Sequence, residues 1–244
     1  MRLFVRAAGW ERGYYWTEVT AEGVRDVGQV PVEYYFELLR NQDSLAPSLS
    51  IYQSAAGYHA LCLGLATRRN EPTRRVITNS LLLESTDEKT ARLFAAAILA
   101  ADEGVVFRPN FEQDFDRCID HDDTQHHYRI GPELHSVVRT WIAATAETGE
   151  PAPFPDDVFV ERLFARNSAE RRRDLHGALC RYELPPLPPE TEPRLLLAVA
   201  GLEEAERLCE IGAWVALSER CDAEGWSIFT PAGQAPRKPL WDRC

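Results

Sequence analysis

The two runs "YHALCLGLAT" (58–67) and "RRVITNSLLLE" (74–84) decide the class of fold. Each has the length of a strand and carries many of the apolar and β-branched residues that suit a pleated, half-buried surface. A short polar segment containing Pro72 separates them, as expected at the tip of a hairpin. We therefore predict that the two runs are strands that bracket a hairpin tip.

The sequence before this hairpin predicts more strands and one helix. Strand-like alternation recurs at "RLFVR" (2–6), "YYWTEVT" (14–20) and "SLSIYQS" (48–54). The first two of these runs flank the turn "GWERG", which predicts a second hairpin. The apolar residues of "VPVEYYFELLRN" (30–41) have helical spacing instead.

A second helix is predicted immediately after the hairpin, in "DEKTARLFAAAILAADEG" (87–104). Ser85 and Glu88 have the spacing of a capping box at its start, and Gly104 is placed to end it. Residues 1–104 are thus predicted to form a sheet-rich α+β part, with a mostly antiparallel sheet.

Residues 105–184 predict a helical part that packs on this sheet. The polar stretch "NFEQDFDRCIDHDDTQHH" (110–127) indicates a short helix followed by an acidic loop. The apolar positions from Leu134 to Ile142 fit a helical face, and further helices are predicted at 158–166 and after the N-cap residue Ser168. The arginine run at 171–173 is typical of a solvated helix face.

A proline-rich segment at 185–193 predicts an extended linker. Beyond it, residues 194–244 suggest a small β-α-β-β unit that packs back on the first part, because about fifty residues make a marginal core alone. The prediction is therefore an α+β fold with a mostly antiparallel N-terminal sheet with hairpins, a central helical region and this C-terminal unit.

The composition limits the classes of partner. The chain has 244 residues, 27 basic against 38 acidic side chains, and a formal net charge of -11. Such a charge opposes bulk binding to nucleic acid or to an anionic membrane. Lys89 and Lys238 are the only lysines, a bias that GC-rich coding in a bacterium would explain.

Compartment and redox state are also predicted from the sequence. The start "MRLFVRAAGW" does not resemble a signal peptide, and no run of residues reaches the length of an apolar membrane helix. The six cysteines form no CxxC pair and are expected to be reduced. These features predict a cytoplasmic protein.

Four arginines at the hairpin tip are the predicted site for an anion or a partner: Arg68, Arg69, Arg74 and Arg75. Guanidinium groups bind phosphate or carboxylate through two parallel bonds. Strict alternation would place Leu61, Leu63, Leu65, Thr67 and Arg69 on one face, and Arg68 on the other. We therefore expect one arginine pair to bind, while the alternative is a solvated tip whose arginines pair with acidic neighbours.

The segment from Asp116 to His127 contains several possible metal ligands, of which His121, Asp122 and His126 are the candidates. The adjacent His121–Asp122 pair resembles the dipeptide of metal-dependent phosphohydrolases of the HD class. A metal ion needs three or four converging ligands, and the sequence shows no further partners for this pair. No metal site is favoured, and a solvated acidic loop is the alternative.

The spacing of His59 and Cys62 argues against a cysteine nucleophile that uses this histidine as its base. An odd separation on a strand directs the two side chains to opposite faces. Cys62 is therefore predicted to be a core thiol, and Cys180 and Cys209 likewise.

The sequence lacks the common local motifs for nucleotide, dinucleotide, zinc-protease and serine-hydrolase sites. We predict a non-enzymatic binding or adaptor module that acts through contacts with another protein and needs no cofactor. The alternative is a metal-dependent phosphohydrolase, or a nucleotide-binding sensor, that uses the arginine-rich hairpin to hold a small phosphorylated ligand.

Overall fold

The computed structural model describes residues 1–9, 13–27, 30, 47–70, 76–100, 110–122, 127–146, 163–184, 194–210 and 212–221. Most of the predicted helix at 30–41, the linker at 185–193 and the tail from 222 lie outside these residues.

The described residues form eleven strands and five helices. The strands are β1 Arg2–Gly9, β2 Gly13–Val19, β3 Val24–Val27, β4 Ser48–Ser54, β5 Gly57–Asn70, β6 Val76–Ser85, β7 Ile119–Asp122, β8 His127–Ile130, β9 Leu163–Arg166, β10 Arg194–Glu204 and β11 Val215–Arg220. The helices are α1 Glu88–Leu99, α2 Phe111–Cys118, α3 Glu133–Ala146, α4 Ala169–Arg181 and α5 Ala205–Glu210.

Nine strands form one sheet in the order β3-β2-β1-β6-β5-β4-β10-β11-β9. Neighbours from β3 to β10 are antiparallel, whereas β10, β11 and β9 run parallel. The predicted α+β fold with a mostly antiparallel sheet is confirmed. Strand β10 pairs with β4, so the strand after the proline-rich segment continues the N-terminal sheet. The proposed division at 104, 184 and 193 stays a prediction.

The sheet has a four-helix face and an α5 face, and each has its own core. Alternate strand residues such as Leu3, Val5 and Cys62 pack with α1, α2, α3 and α4 on the four-helix face. The residues between them, such as Phe4 and Leu61, belong to the core of the α5 face. Helix α5 contacts β9, β10 and β11 there. Alternation with period two thus distributes apolar side chains to both faces.

The helix predicted around Leu134 is confirmed as α3, whose inward face is Leu134, Val137, Val138, Trp141 and Thr145. Ser168 is confirmed as an N-cap, because its hydroxyl accepts a hydrogen bond from Arg171 N–H at 3.3 Å. No helix in the described part of the chain is long and apolar enough to cross a membrane.

The predicted N-cap of α1 is wrong by two residues. Asp87, not Ser85, is the N-cap, and its carboxylate accepts from Thr90 N–H at 3.1 Å. The Ser85 hydroxyl accepts from Asp87 N–H at 3.0 Å and holds the turn before the helix. The helix also ends earlier than predicted, at Leu99. A short polar side chain at either position can satisfy a free N–H, so spacing alone did not identify the cap.

Two segments predicted as helix or loop are strands. Residues 163–166, within the predicted helix at 158–166, form β9 and pair with β11, and Ala165 is fully buried. A short apolar run does not distinguish a strand from a helix, and pairing decided it here. The predicted acidic loop after α2 begins with β7, which pairs with β8 through the buried residues Ile119 and Ile130.

The arginine run on α4 is not a uniformly solvated face. Arg173 is exposed, but Arg172 retains only 3% exposure. Its Nη1 donates to the carbonyl of Pro47, 3.4 Å away, just before β4. A run of three residues covers most of a helical turn, so one member faces the sheet whatever its charge.

Candidate functional site

The four predicted tip arginines are only partly described. Arg68 and Arg69 lie at the end of β5, where the backbone is described and the side chains are not. Arg74 and Arg75 lie outside the described residues. Binding of an anion or partner by one of these pairs stays a prediction.

The strict alternation expected through this strand is wrong, because β5 is bulged. Cys62 pairs with Leu81, but the next paired residue is Leu65, opposite Asn79. Gly64 has φ of 79° at this point, a conformation that glycine adopts readily. Leu65 therefore lies on the four-helix face, away from Leu61. A second irregularity follows between Ala66 and Asn70, so parity cannot be extended to the arginines.

The histidine–aspartate candidates are also only partly described. His121 and Asp122 lie on β7, opposite Tyr128 and His127 of β8, and their side chains are not described. His126 lies outside the described residues. Within the described residues no group of three or more His, Cys, Asp or Glu side chains could hold a metal ion.

His59 and Cys62 lie on opposite faces, as predicted. Cys62 is fully buried in the core of the four-helix face, whereas His59 pairs across the strands with Tyr52 of the α5 face. Burial raises the pKa of the Cys62 thiol. Cys180 and Cys209 are buried, as predicted.

The α5 face carries a line of polar side chains that crosses six adjacent strands, with one residue from each strand. In strand order from β3 to β4, this polar row is Arg25, Glu18, Arg2, Glu84, His59 and Ser54. Strand register positions it, because Arg25 lies opposite Glu18, and Glu84 lies opposite both Arg2 and His59. Side chains that are opposite or diagonal on one face of a sheet are close enough to interact.

Contacts between neighbouring members make the row continuous. Glu18 accepts hydrogen bonds from Arg25 and, at 2.8 Å, from Nε of Arg2. Nη1 of Arg2 donates to Oε2 of Glu84 at 3.0 Å. On the other side of Glu84, Oε1 lies 3.4 Å from Nδ1 of His59. Nε2 of His59 is then 2.9 Å from the hydroxyl of Ser54.

The middle of the row is buried while its cations reach solvent. The side chains of Glu18, Glu84 and His59 retain 7%, 13% and 10% exposure, against 55% for Arg2 and 71% for Arg25. The hydrogen bond from Arg2 lowers the pKa of Glu18, and the same bond raises the pKa of Arg2. Buried polar groups linked in this way strengthen one another in the low local dielectric.

The contact between His59 and Glu84 differs from the others. The 3.4 Å separation is an ion-pair distance, but Nδ1 is not aligned for a hydrogen bond to any group in the described part of the chain. The two groups are therefore close, but a hydrogen bond between them needs the imidazole ring to rotate.

The first strand in the row, β3, is an edge of the sheet that the described residues form. Within the described residues it pairs only with β2, and its first three residues are exposed. Thr20 N–H donates to Gly23 carbonyl at 2.8 Å in the connecting turn. Because hydrogen-bonded pairs alternate along an antiparallel ladder, the N–H and C=O groups of Val24 and Asp26 point away from β2.

The sequence contains a signal for the polar row that motif analysis missed. Each member lies two residues from an apolar residue of the α5 face on its own strand, as with His59 and Leu61 or Glu84 and Leu82. Period two thus predicts the face of each polar residue. It does not predict which strands are neighbours, and that order brings the six together.

Comparisons of the chain with protein-family models, with curated proteins and with solved structures give no match.

Proposed function

We propose that the chain is a binding module that recognises another protein by adding an extended segment of that protein to the edge strand β3. The observation that carries this proposal is the one-sided pairing of β3 within the described residues. An edge strand offers backbone donors and acceptors to a partner strand, and main-chain hydrogen bonds then supply affinity.

Two side chains add specificity to this edge. Val24 is one of the two exposed large hydrophobic residues in the described part of the chain, with 39% exposure, and offers an apolar contact to a residue opposite it. Arg25 projects on the α5 face with most of its side chain in solvent. A segment with an apolar residue facing Val24 therefore fits this edge.

The net charge of -11 favours a cationic partner. Complementary charge speeds the encounter of two proteins and is screened by salt. The proposed partner is thus a basic protein with an extended segment. A short, charged edge strand can also serve to prevent pairing with other chains. If that is its role, the experiment below should give no adduct.

The experiment places a photo-crosslinking amino acid at Val24 in the full chain, expressed in its native cells. We expect one protein adduct, with a yield that falls as salt is raised. Asp26→Pro removes the outward N–H and should abolish the adduct, because a partner strand loses a main-chain hydrogen bond there. Proline is compatible with an outward position on an edge strand, so the variant should still fold. Asp26→Ala keeps this N–H and should keep the adduct.

A second proline variant controls for general effects on folding. Ala169 is exposed and is the first residue of α4, where proline is tolerated. Ala169→Pro should leave the adduct unchanged. The proposal is overturned if no adduct forms, or if Asp26→Pro reduces the adduct no more than Asp26→Ala.

The proposed compartment is the cytoplasm, and the proposed source is bacterial. The six cysteines form no CxxC pair in the sequence, which supports a reducing compartment. The arginine-rich composition is the support for the source.

The phosphohydrolase and nucleotide-sensor alternatives depend on side chains that the structure does not describe. They stay predictions, with direct tests. Bound metal that is lost on His121→Ala would support the first. A rise in melting temperature with a nucleotide, abolished by Arg68→Ala, would support the second.

A further inference from the structure

We propose that Ser54, His59 and Glu84 form a nucleophile site that cleaves small activated esters by acyl transfer. This site goes beyond the binding function and does not depend on the edge of β3. It lies at the opposite end of the polar row, where β4 turns into β5.

The order of atoms is the one that serine nucleophiles require. The Ser54 hydroxyl lies 2.9 Å from Nε2 of His59, within reach for direct proton transfer. The other ring nitrogen faces Oε1 of Glu84. A nucleophile, a base and a carboxylate that orients the base define a triad by geometry, irrespective of their order in the chain.

Hydrogen bonds at Ser54 favour the tautomer of His59 that the reaction requires. Ala56 N–H donates to Ser54 Oγ at 3.2 Å, so the oxygen already accepts one bond. The hydroxyl hydrogen is then free to be donated to Nε2, which leaves the ring proton on Nδ1, beside Glu84. The 3.4 Å separation there is compatible with catalysis, because such bonds are often long before substrate binds.

The surroundings of the site restrain His59, the base, and leave the hydroxyl of Ser54 accessible to a substrate. The side chain of His59 is 10% exposed, and the second oxygen of Glu84 accepts a hydrogen bond from Arg2. Ser54 is half-buried, and the two turn residues after it, Ala55 and Ala56, are exposed. A small acyl group can therefore approach the hydroxyl from the turn.

The reaction is balanced with water as the only co-reactant. Ser54 Oγ bonds to the acyl carbon while its proton moves to Nε2 of His59. The ester C–O bond breaks, and the departing alcohol takes that proton. Water then attacks the acyl group, gives a proton to Nε2, and releases the carboxylic acid as the proton returns to Ser54 Oγ. Glu84 is a positioning residue that orients the ring.

A fluorophosphonate probe tests the site on the full chain. We expect labelling at Ser54, located by mass spectrometry, and none at this position in Ser54→Ala. His59→Gln should lower the labelling rate about 100-fold or more, which is the usual contribution of a general base. Glu84→Gln should lower the labelling rate less than His59→Gln does, and Glu84→Asp, which keeps a carboxylate, should retain more of the rate than Glu84→Gln.

A matched pair of controls comes from α3, where His135 and Ser136 lie outside the polar row. His135→Gln and Ser136→Ala should label at the wild-type rate. Thermal melting identifies variants that fail to fold, and Ser54→Ala removes only one oxygen from a half-buried position. Absence of labelling in folded wild type overturns the proposal, as does equal labelling in folded His59→Gln. Either result would leave the binding proposal intact.

Discussion

Two clusters of carboxylate and guanidinium groups, one in the helical layer and one on the α5 face, use the same chemistry in opposite environments. In the helical layer, Arg92 is buried with 1% exposure and donates to Glu88 at 2.7 Å. On the α5 face, the carboxylate of Glu18 is buried and its partners Arg2 and Arg25 reach solvent.

The helical cluster connects different parts of the chain. Arg92 also donates to the carbonyl of Leu179 at the end of α4, and Glu88 accepts from Leu184 N–H at 2.7 Å. Burial raises the pKa of Glu88 and outweighs the bonds from Leu184 and Arg92, which lower it. In the polar row the balance is reversed, because the bond from Arg2 outweighs burial at Glu18. The difference shows that the buried cation Arg92 connects two helices through hydrogen bonds, whereas the exposed cations Arg2 and Arg25 stabilise the charge on a buried carboxylate.

The largest expected effect is in the helical cluster. Arg92→Leu leaves the half-buried carboxylate of Glu88 without its cation and should lower the free energy of unfolding by about 3 kcal/mol, the lower end of the range for buried pairs. Denaturant titration measures this loss. The double variant Glu88→Gln with Arg92→Leu removes both charges and should recover part of it. An equal loss in single and double variants would show that the ion pair is not the cause.

A smaller effect is expected at the turn that positions Ser54. Gly57 has φ of 125°, and a Cβ there would lie 2.5 Å from the backbone oxygen of Ser85. Gly57→Ala should therefore lower stability by about 1–3 kcal/mol. Gly23 has no atom within 4 Å of an added Cβ, so Gly23→Ala is the matched control. Equal melting temperatures for the two variants would contradict the expected strain.

The exposed cation of the polar row should contribute least to stability. Arg25→Ala is expected to change the free energy of unfolding by about 0.2–1 kcal/mol, because exposed ion pairs gain little in water. The change should shrink further as salt is raised. A loss as large as that of Arg92→Leu would remove the distinction between the two clusters.

The two carboxylates should also differ in the sign of their pH dependence. The lowered pKa of Glu18 adds stability above its unfolded value of 4.5, which is lost as pH falls through the folded pKa. The raised pKa of Glu88 adds stability below 4.5, which is lost as pH rises through its folded pKa. Stability differences of wild type from Glu18→Gln and from Glu88→Gln, measured against pH, should therefore have opposite slopes. Parallel slopes would refute this.

Predictions from sequence were correct where an apolar periodicity continued over several helical turns, or where a residue type has one common structural role at its position. Helix α3 has a full apolar stripe, and Ser168 lies directly before a helix. The predictions from sequence failed at β9 and at the bulge near Gly64, because pairing with distant strands determines both features. The face of His59 was predicted correctly, but its neighbours Ser54 and Glu84 were not considered together.

The sequence by itself determined the α+β class, the alternation of side chains between two faces, and the separation of His59 from Cys62. These depend on local periodicity and on the kinds of side chain present. Only the tertiary structure decided that β10 joins β4, that Arg92 and Arg172 are buried, and that six strands bring their polar residues into one row. Such features depend on strand order and register, because contacts between distant segments are selected by the packing of the whole sheet.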